Sequence, residues 1–252
     1  MVKMATEFSI PNQRGEKLHV VVAGNENAAA TLLFVQGFGV SLQENSLFVD
    51  IVEAFQHKFT MISFDFAGYG QSEGKQENVS LDTESQDLDT VLRWVRKHFM
   101  GSISIIAHSL GCAVVSHLNP SGIEKTIFLA PTHQDSAHLV QQHQRRMTAR
   151  GGTIDEQGIS VYPHHTGEIQ KIGASFWSTL RASDLLASCR KYSIKTNLLL
   201  LYPRKDEIIP KEGIMGYRKI ATLTFKELPG DHNFSGKKER EKLFATLSTF
   251  FA

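Results

Sequence analysis

Ser104-Ile105-Ile106-Ala107-His108-Ser109-Leu110-Gly111-Cys112-Ala113-Val114-Val115 decides the fold. The apolar residues Ile103, Ile105 and Ile106 lead into a tight turn of small residues, and a second apolar segment follows at helical spacing. This reads as a strand, a turn and a helix with Ser109 at the apex. The pattern is close to G-x-S-x-G, a strained strand-to-helix elbow that exposes a nucleophilic serine. Strand and helix nearly touch there, so the positions two before and two after the serine must be small. Gly111 meets the demand, and Ala107 replaces the first glycine at the cost of one methyl group of room. A chance small-residue turn would look the same, so the assignment depends on what surrounds it.

Outward from the elbow, strands and helices alternate. Phe8 to Ile10 and Lys17 to Ala23 read as a hairpin around Asn12-Gln13-Arg14-Gly15. Thr31 to Val35 is a continuous apolar run, as expected of a strand buried on both faces. Leu47 to Phe55 has helical periodicity, and Thr60 to Phe66 is a strand entering the glycine-rich loop Ala67 to Gly74. Leu88, Val91, Leu92, Val95 and Phe99 mark an amphipathic helix. Past the elbow come strands at Lys125 to Ala130, Thr196 to Tyr202 and Thr222 to Leu228, and a helix over Lys237 to Phe251. This order predicts a doubly wound α/β fold, a mostly parallel sheet with helices on both faces. Residues 132–190 break the rhythm: they are polar, rich in His and Gln, and show no strong strand. A connection that long needs its own structure or function. The expected organisation is a core of residues 1–131 and 191–252 with an inserted cap at 132–190.

An alcohol is a poor nucleophile at neutral pH. It needs a base, and the base needs a carboxylate to fix its tautomer. In doubly wound sheets such groups gather at the carboxyl ends of strands. The strand Leu198 to Tyr202 is followed by Asp206, with Glu207 as a competitor that would point elsewhere. The strand ending at Leu228 is followed by His232, the only histidine beyond residue 190. Ser109, Asp206 and His232 therefore form a candidate catalytic triad in the order Ser, Asp, His. Each alone would pass for an ordinary loop residue; their joint placement is far more specific. The tetrahedral intermediate of acyl transfer also needs two N–H donors for its oxyanion. Leu110 N–H, opening the elbow helix, and Phe38 N–H, in Gln36-Gly37-Phe38-Gly39 after the Thr31 to Val35 strand, are the candidates.

These segments resemble the α/β-hydrolase superfamily over nearly the whole chain. Gln36 to Gly39 resembles the family's oxyanion loop, with Gln36 where histidine is usual. Asp65-Phe66-Ala67-Gly68-Tyr69-Gly70-Gln71-Ser72 resembles its D-x-x-G-x-G-x-S segment, in which the resemblance implies a structural Asp65. Tyr202-Pro203 stands where His-Gly usually precedes the acid. Phe64 to Lys75 and the insertion after Pro131 are most similar to bacterial cinnamoyl (feruloyl) esterases and to serine aminopeptidase-like and monoacylglycerol-lipase-like hydrolases. The resemblance implies an eight-stranded α/β-hydrolase sheet and a serine hydrolase, a carboxylesterase acting on a small-molecule ester without a cofactor. Lipase, thioesterase and aminopeptidase activity remain open at this point, as does a non-catalytic sensor on the same fold.

Composition narrows the partners. With 252 residues and 41% apolar content the chain can bury a large core. A net charge of +1 gives no reason to expect nucleic acid or an anionic membrane. Arg145, Arg146 and Arg150 read as a solvated helix face. Cys112 and Cys189 make no disulfide framework, and reduced thiols fit the cytoplasm. Met1 to Ile10 has no hydrophobic core of a signal peptide, and no apolar run reaches the ~18 residues of a membrane span. His133, His138, His143, His164 and His165 suggest metal, but five-residue steps rotate side chains off a common helix face and no carboxylate or cysteine of familiar spacing completes a set. No metal is expected. Phe176, Trp177, Tyr162 and Tyr192 are expected to pack the cap, with one or two reaching a substrate.

Overall fold

The computed structural model describes residues 5–25, 27–42, 44–164 and 167–252. The strands are β1 (Thr6–Pro11), β2 (Lys17–Gly24), β3 (Ala30–Val35), β4 (Thr60–Phe64), β5 (Ser102–His108), β6 (Lys125–Leu129), β7 (Ile159–Pro163), β8 (Ile169–Gly173), β9 (Asn197–Pro203) and β10 (Leu223–Leu228). The helices are α1 (Ser46–Phe55), α2 (Leu81–His98), α3 (Leu110–Leu118), α4 (Ser136–Ala149), α5 (Ala174–Ala182), α6 (Leu185–Tyr192) and α7 (Lys237–Phe251). Eight strands form one sheet in the order β1-β2-β4-β3-β5-β6-β9-β10. β2 runs antiparallel to both its neighbours; every other pairing is parallel. The expected α/β-hydrolase architecture is what the chain adopts.

Period-two alternation along the central strands feeds two cores. Leu33 and Val35 of β3, Ile105 and Ala107 of β5, and Leu198 and Leu200 of β9 face one layer. Their neighbours Leu32, Phe34, Ile106, Leu199 and Leu201 face the other. The first layer is closed by α2, α3 and α6, the second by α1 and α7, through Leu47, Ile51, Phe55, Leu243 and Leu247. Continuous apolar runs in β3 and β9 are the consequence of burial on both faces. The central strand β5 carries Ser109 out of its carboxyl end.

Helix α2 starts at buried Leu81, about two turns before Leu88, where the apolar stripe read from the sequence begins. Ser80 and Thr83 form a capping box, and Arg96, Lys97 and His98 complement the carboxyl end. It also buries Glu84, whose Oε2 has no hydrogen-bond partner among the described residues. Burial, and next the nearby Asp87, push this carboxyl from 4.5 up to about 8. The unfolded chain loses the proton near the lower value and the folded chain near the higher one. Between them the folded state holds more protons, so this group makes stability fall as pH rises from about 4.5 to about 8. Glu84→Gln, neutral throughout, should raise the thermal midpoint over the native protein at pH 8 and not at pH 4.5; thermal melts at the two pH values read this directly.

The segment between β6 and β9 differs from expectation in two ways. It does contain strands: β7 and β8 pair as an antiparallel hairpin separate from the main sheet. Each is only five residues long, too short for its alternation to stand out in the sequence. Its last helix, α6, runs past residue 190 and packs on α3. Tyr192 accordingly is a core residue and not part of a cap; it stacks on Phe128 and its hydroxyl meets Thr126 Oγ1 at 2.7 Å. Phe176, Trp177 and Tyr162 are buried within the insertion, as expected. Among the described residues no helix is long and apolar enough to cross a membrane.

Candidate active site

Ser109 has φ 53° and ψ −122°, a conformation that L residues rarely adopt. Its N–H donates to Leu129 O on the neighbouring strand at 3.0 Å, and α3 begins at the next residue. Close packing on both sides holds it. A Cβ on Gly37 would lie 3.0 Å from Ser109 Cβ, and a Cβ on Gly111 would lie 2.6 Å from Gln36 O and collide with Val35 O. Ala107, where glycine is more usual, is fully buried in the layer closed by α3. Gly111→Ala should therefore destabilise the fold by at least the ~1–3 kcal/mol typical of overpacking. Both obstructing atoms belong to the backbone, and a denaturant melt checks the loss.

His232 Nε2 stands 3.0 Å from Ser109 Oγ. On its other side His232 Nδ1 lies 3.0 and 2.9 Å from the two carboxylate oxygens of Asp206. Asp206 Oδ1 also accepts the N–H groups of Ile208 and Ile209 at 2.9 and 2.8 Å, so the carboxylate is fixed by its own turn. Its side chain is fully buried. Glu207 does point elsewhere: it accepts the main-chain N–H of His232 at 3.2 Å and leaves the imidazole to Asp206. The structure thus brings together the three side chains named from the sequence, from loops after β5, β9 and β10.

One residue beside the serine was not singled out by its type. His108 is buried and its Nε2 donates to the main-chain oxygen of His232 at 3.0 Å. Burial, and then the adjacent His232, depress it to about 3, so it stays neutral. Its place next to Ser109 was the only available signal.

The loop after β3 is clamped from two directions. Gln36 Nε2 donates to Phe64 O at 3.1 Å and to Asp65 Oδ1 at 3.3 Å. Buried Asp65 also accepts Leu42 N at 2.8 Å and Gln71 N at 3.0 Å. Gly70 packs so tightly on Asp65 that a Cβ there would overlap the carboxylate. Ser72 Oγ donates to Asp65 O at 2.6 Å. The Asp, the second Gly and the Ser of that motif are thus one brace for the loop. From the other side, Gln170 Nε2 of β8 donates to Gly39 O at 2.9 Å, and Tyr162 OH of β7 bonds Gln170 Oε1. The Phe38 ring sits among His143, Tyr162 and Phe176 at 4.9, 6.4 and 5.0 Å between centroids.

A cavity of about 380 Å³ opens over Ser109 and His232, with Phe38, Val40, Leu47 and Ile208 in its wall. Arg146 and Arg150 line it too. The sequence reading of Arg145, Arg146 and Arg150 as a solvated face holds for Arg145 and Arg150, which are exposed; Arg146 is half-buried at the cavity. Helix α4 turns its His143, Arg146, Met147 and Arg150 edge toward the serine.

The histidines of the insertion are scattered, with one exception. His133 precedes α4 instead of lying on it, so its ring stacks on His138 at 5.0 Å despite the five-residue step. Asp135 joins them, with one ligand-type atom from each residue within 4.8 Å of the others. The expected separation of side chains thus fails for this pair. These atoms already cap the helix: Asp135 Oδ1 accepts His138 N at 2.9 Å, and His133 Nδ1 accepts Asp135 N at 3.0 Å. His165 lies outside the described residues.

Similarity to known proteins agrees with this fold. In fold the chain is similar to the ferulic acid complex of Est1E from Butyrivibrio proteoclasticus, with TM-score 0.77, 19% identity and 97% of each chain covered. It is similar to the esterase domain of a Rhodothermus marinus protein, with TM-score 0.73, 20% identity and 98% of this chain and 97% of that one covered. Mouse alpha/beta hydrolase domain-containing protein 10 aligns with TM-score 0.72, 19% identity and 98% of both chains. Among curated proteins none matches the sequence. Residues 26–229, well over half of the chain, match the hydrolase family described as "Serine aminopeptidase, S33". With its doubly wound sheet and its serine elbow, the chain belongs to that serine aminopeptidase-type family of α/β-hydrolases.

Proposed function

We propose that this protein is a serine hydrolase that cleaves carboxylic esters of small molecules through an acyl-enzyme on Ser109. The observation that carries the reading is the unbroken relay from Ser109 Oγ through the His232 ring to Asp206, with contacts of 3.0 and 2.9 Å. His232 Nε2 takes the serine proton as Oγ attacks the acyl carbon. Asp206 holds Nδ1–H and offsets the positive imidazolium. Phe38 N–H and Leu110 N–H stabilise the oxyanion, the second backed by the amino end of α3. His232 then protonates the departing alcohol and activates water against the acyl-enzyme. Residues 1–131 and 191–252, joined by α6, act as the catalytic core, and the part of 132–190 before α6 as a cap that holds the oxyanion loop through Gln170 on Gly39 and through His143, Tyr162 and Phe176 on Phe38. No metal or cofactor is needed for these steps.

Esters are favoured over aminoacyl amides by the cavity wall. An aminopeptidase must seat a cationic α-amino group, yet this wall carries two arginines, and its carboxylate Glu44 is engaged by Ser41 N and Oγ. The likeness to Est1E, which holds ferulic acid, and to a named esterase domain supports carboxylic esters. The intact relay disfavours a non-catalytic sensor. Cys112 and Cys189 are buried and free, which fits a cytoplasmic protein. The test is labelling with a fluorophosphonate, with peptide mapping, beside p-nitrophenyl acetate turnover. Prompt capture at Ser109 together with turnover is the expected result. A folded protein that neither labels nor turns over the ester would overturn the proposal.

A further inference from the structure

Arg146 lies in the last turn of α4 and Arg150 is the residue that caps its carboxyl end, and both enter the cavity wall that holds Ser109 and His232. Among the described residues neither guanidinium has a hydrogen bond or a carboxylate within 4.0 Å. Other arginines of the protein do: Arg14 pairs with Asp87, Arg181 with Glu156 and Arg240 with Asp50. The nearby acids are already engaged. Glu44 accepts Ser41 N and Oγ at 2.8 and 2.9 Å. Asp206 and Glu207 are held by the N–H groups of Ile208, Ile209 and His232. Burial, and then Arg150, work against the charge on Arg146.

Two cations in the wall of the reaction cavity, without a carboxylate partner among the described residues, are placed to hold an anion that enters it. A neutral ester supplies no such anion, and a guanidinium fork is shaped for a carboxylate or a similar oxyanion. Phe38, Val40, Leu47, Met147 and Ile208 give the wall an apolar part that suits an apolar body, beside polar Glu44, Asn45, Asn233 and Ser235. We infer that the substrate is a small ester with an apolar body and a carboxylate remote from the scissile bond, and that Arg146 and Arg150 bind that carboxylate. The inference rests on the serine-hydrolase reading and adds the substrate class. The anion lies on either the acyl or the alcohol side of the ester.

The test uses two matched pairs of substrates. The acyl-side pair is mono-p-nitrophenyl glutarate against p-nitrophenyl valerate; the alcohol-side pair is 4-acetoxybenzoate against 4-methylphenyl acetate. For each pair the ratio of kcat/KM, anionic over neutral, is measured in the native protein, Arg146→Gln, Arg150→Gln, the double variant and Arg146→Lys. In one pair the ratio should fall about tenfold or more in Arg146→Gln, fall further in the double variant and be largely retained in Arg146→Lys. The KM of that anionic ester should also rise with ionic strength as screening weakens the contact. Comparing variants by ratio removes differences in leaving-group reactivity and in folded fraction. Ratios that change less than about threefold in both pairs would overturn the inference while leaving the hydrolase intact. Failure to hydrolyse any of the four esters, with Ser109 unlabelled by fluorophosphonate, would overturn the hydrolase reading and this inference with it.

Discussion

Ser109→Ala lowers kcat/KM for p-nitrophenyl acetate by roughly 10⁴- to 10⁶-fold, the range expected when a triad nucleophile is removed. The protein remains folded. Ser109 Oγ has one hydrogen bond, to His232 Nε2, so its loss leaves no buried donor stranded in the core. The backbone at φ 53° stays strained, because alanine keeps the Cβ that causes the strain. Ser109→Gly separates the two roles. It removes the nucleophile equally but relaxes the turn, and should melt later than Ser109→Ala by an amount equivalent to about 1 kcal/mol. Near-normal ester turnover in either variant would remove Ser109 from the chemistry. A Ser109→Gly melt below that of Ser109→Ala would show that the elbow stores no strain.

The second large effect belongs to Asp206→Asn, with an expected loss of about 10⁴-fold in kcat. Asp206 Oδ1 accepts two backbone N–H groups, from Ile208 and Ile209. Asparagine must keep its carbonyl oxygen there, which turns its NH₂ toward His232 Nδ1. The imidazole can face an NH₂ only by carrying its proton on Nε2, and then it cannot accept the proton of Ser109. The volume is unchanged, so the stability change should be small beside the kinetic one. Glu207→Gln is the control. Glu207 accepts the main-chain N–H of His232 and, among the described residues, makes no hydrogen bond to its imidazole, so its substitution should cost far less activity. If the two variants lost equal activity, Asp206 would no longer be the residue that orients the imidazole.

Most of the core was legible because burial on both faces writes continuous apolar runs into β3, β5 and β9. Glycine-rich or charged loops then mark where those strands stop. The candidate triad was legible for the same reason: each member follows a strand, in the order such sites require. What escaped was whatever depends on the placement of the insertion. The β7–β8 hairpin consists of two five-residue strands, and Pro163 closes one of them. The arginines of α4 share a helix edge with His143 and Met147, a spacing plain in the sequence. Which edge meets the serine is set only when α4 docks. The contact from His108 to the carbonyl of His232 spans 124 residues and involves a backbone atom, so no side-chain pattern announces it. The role of α6 could have been read: Leu185, Cys189 and Tyr192 recur at helical spacing and are all buried.

The bond from Gln170 to the oxygen of Gly39 gives the inserted segment a second task beyond shaping a pocket. A graft that exchanged residues 159–173 for those of a relative, in order to change what is accepted, would also untie the strand-to-loop junction that carries the proposed oxyanion donor Phe38. Engineered chimeras of this protein should therefore carry residues 36–42 and the hairpin across together, as one exchangeable unit.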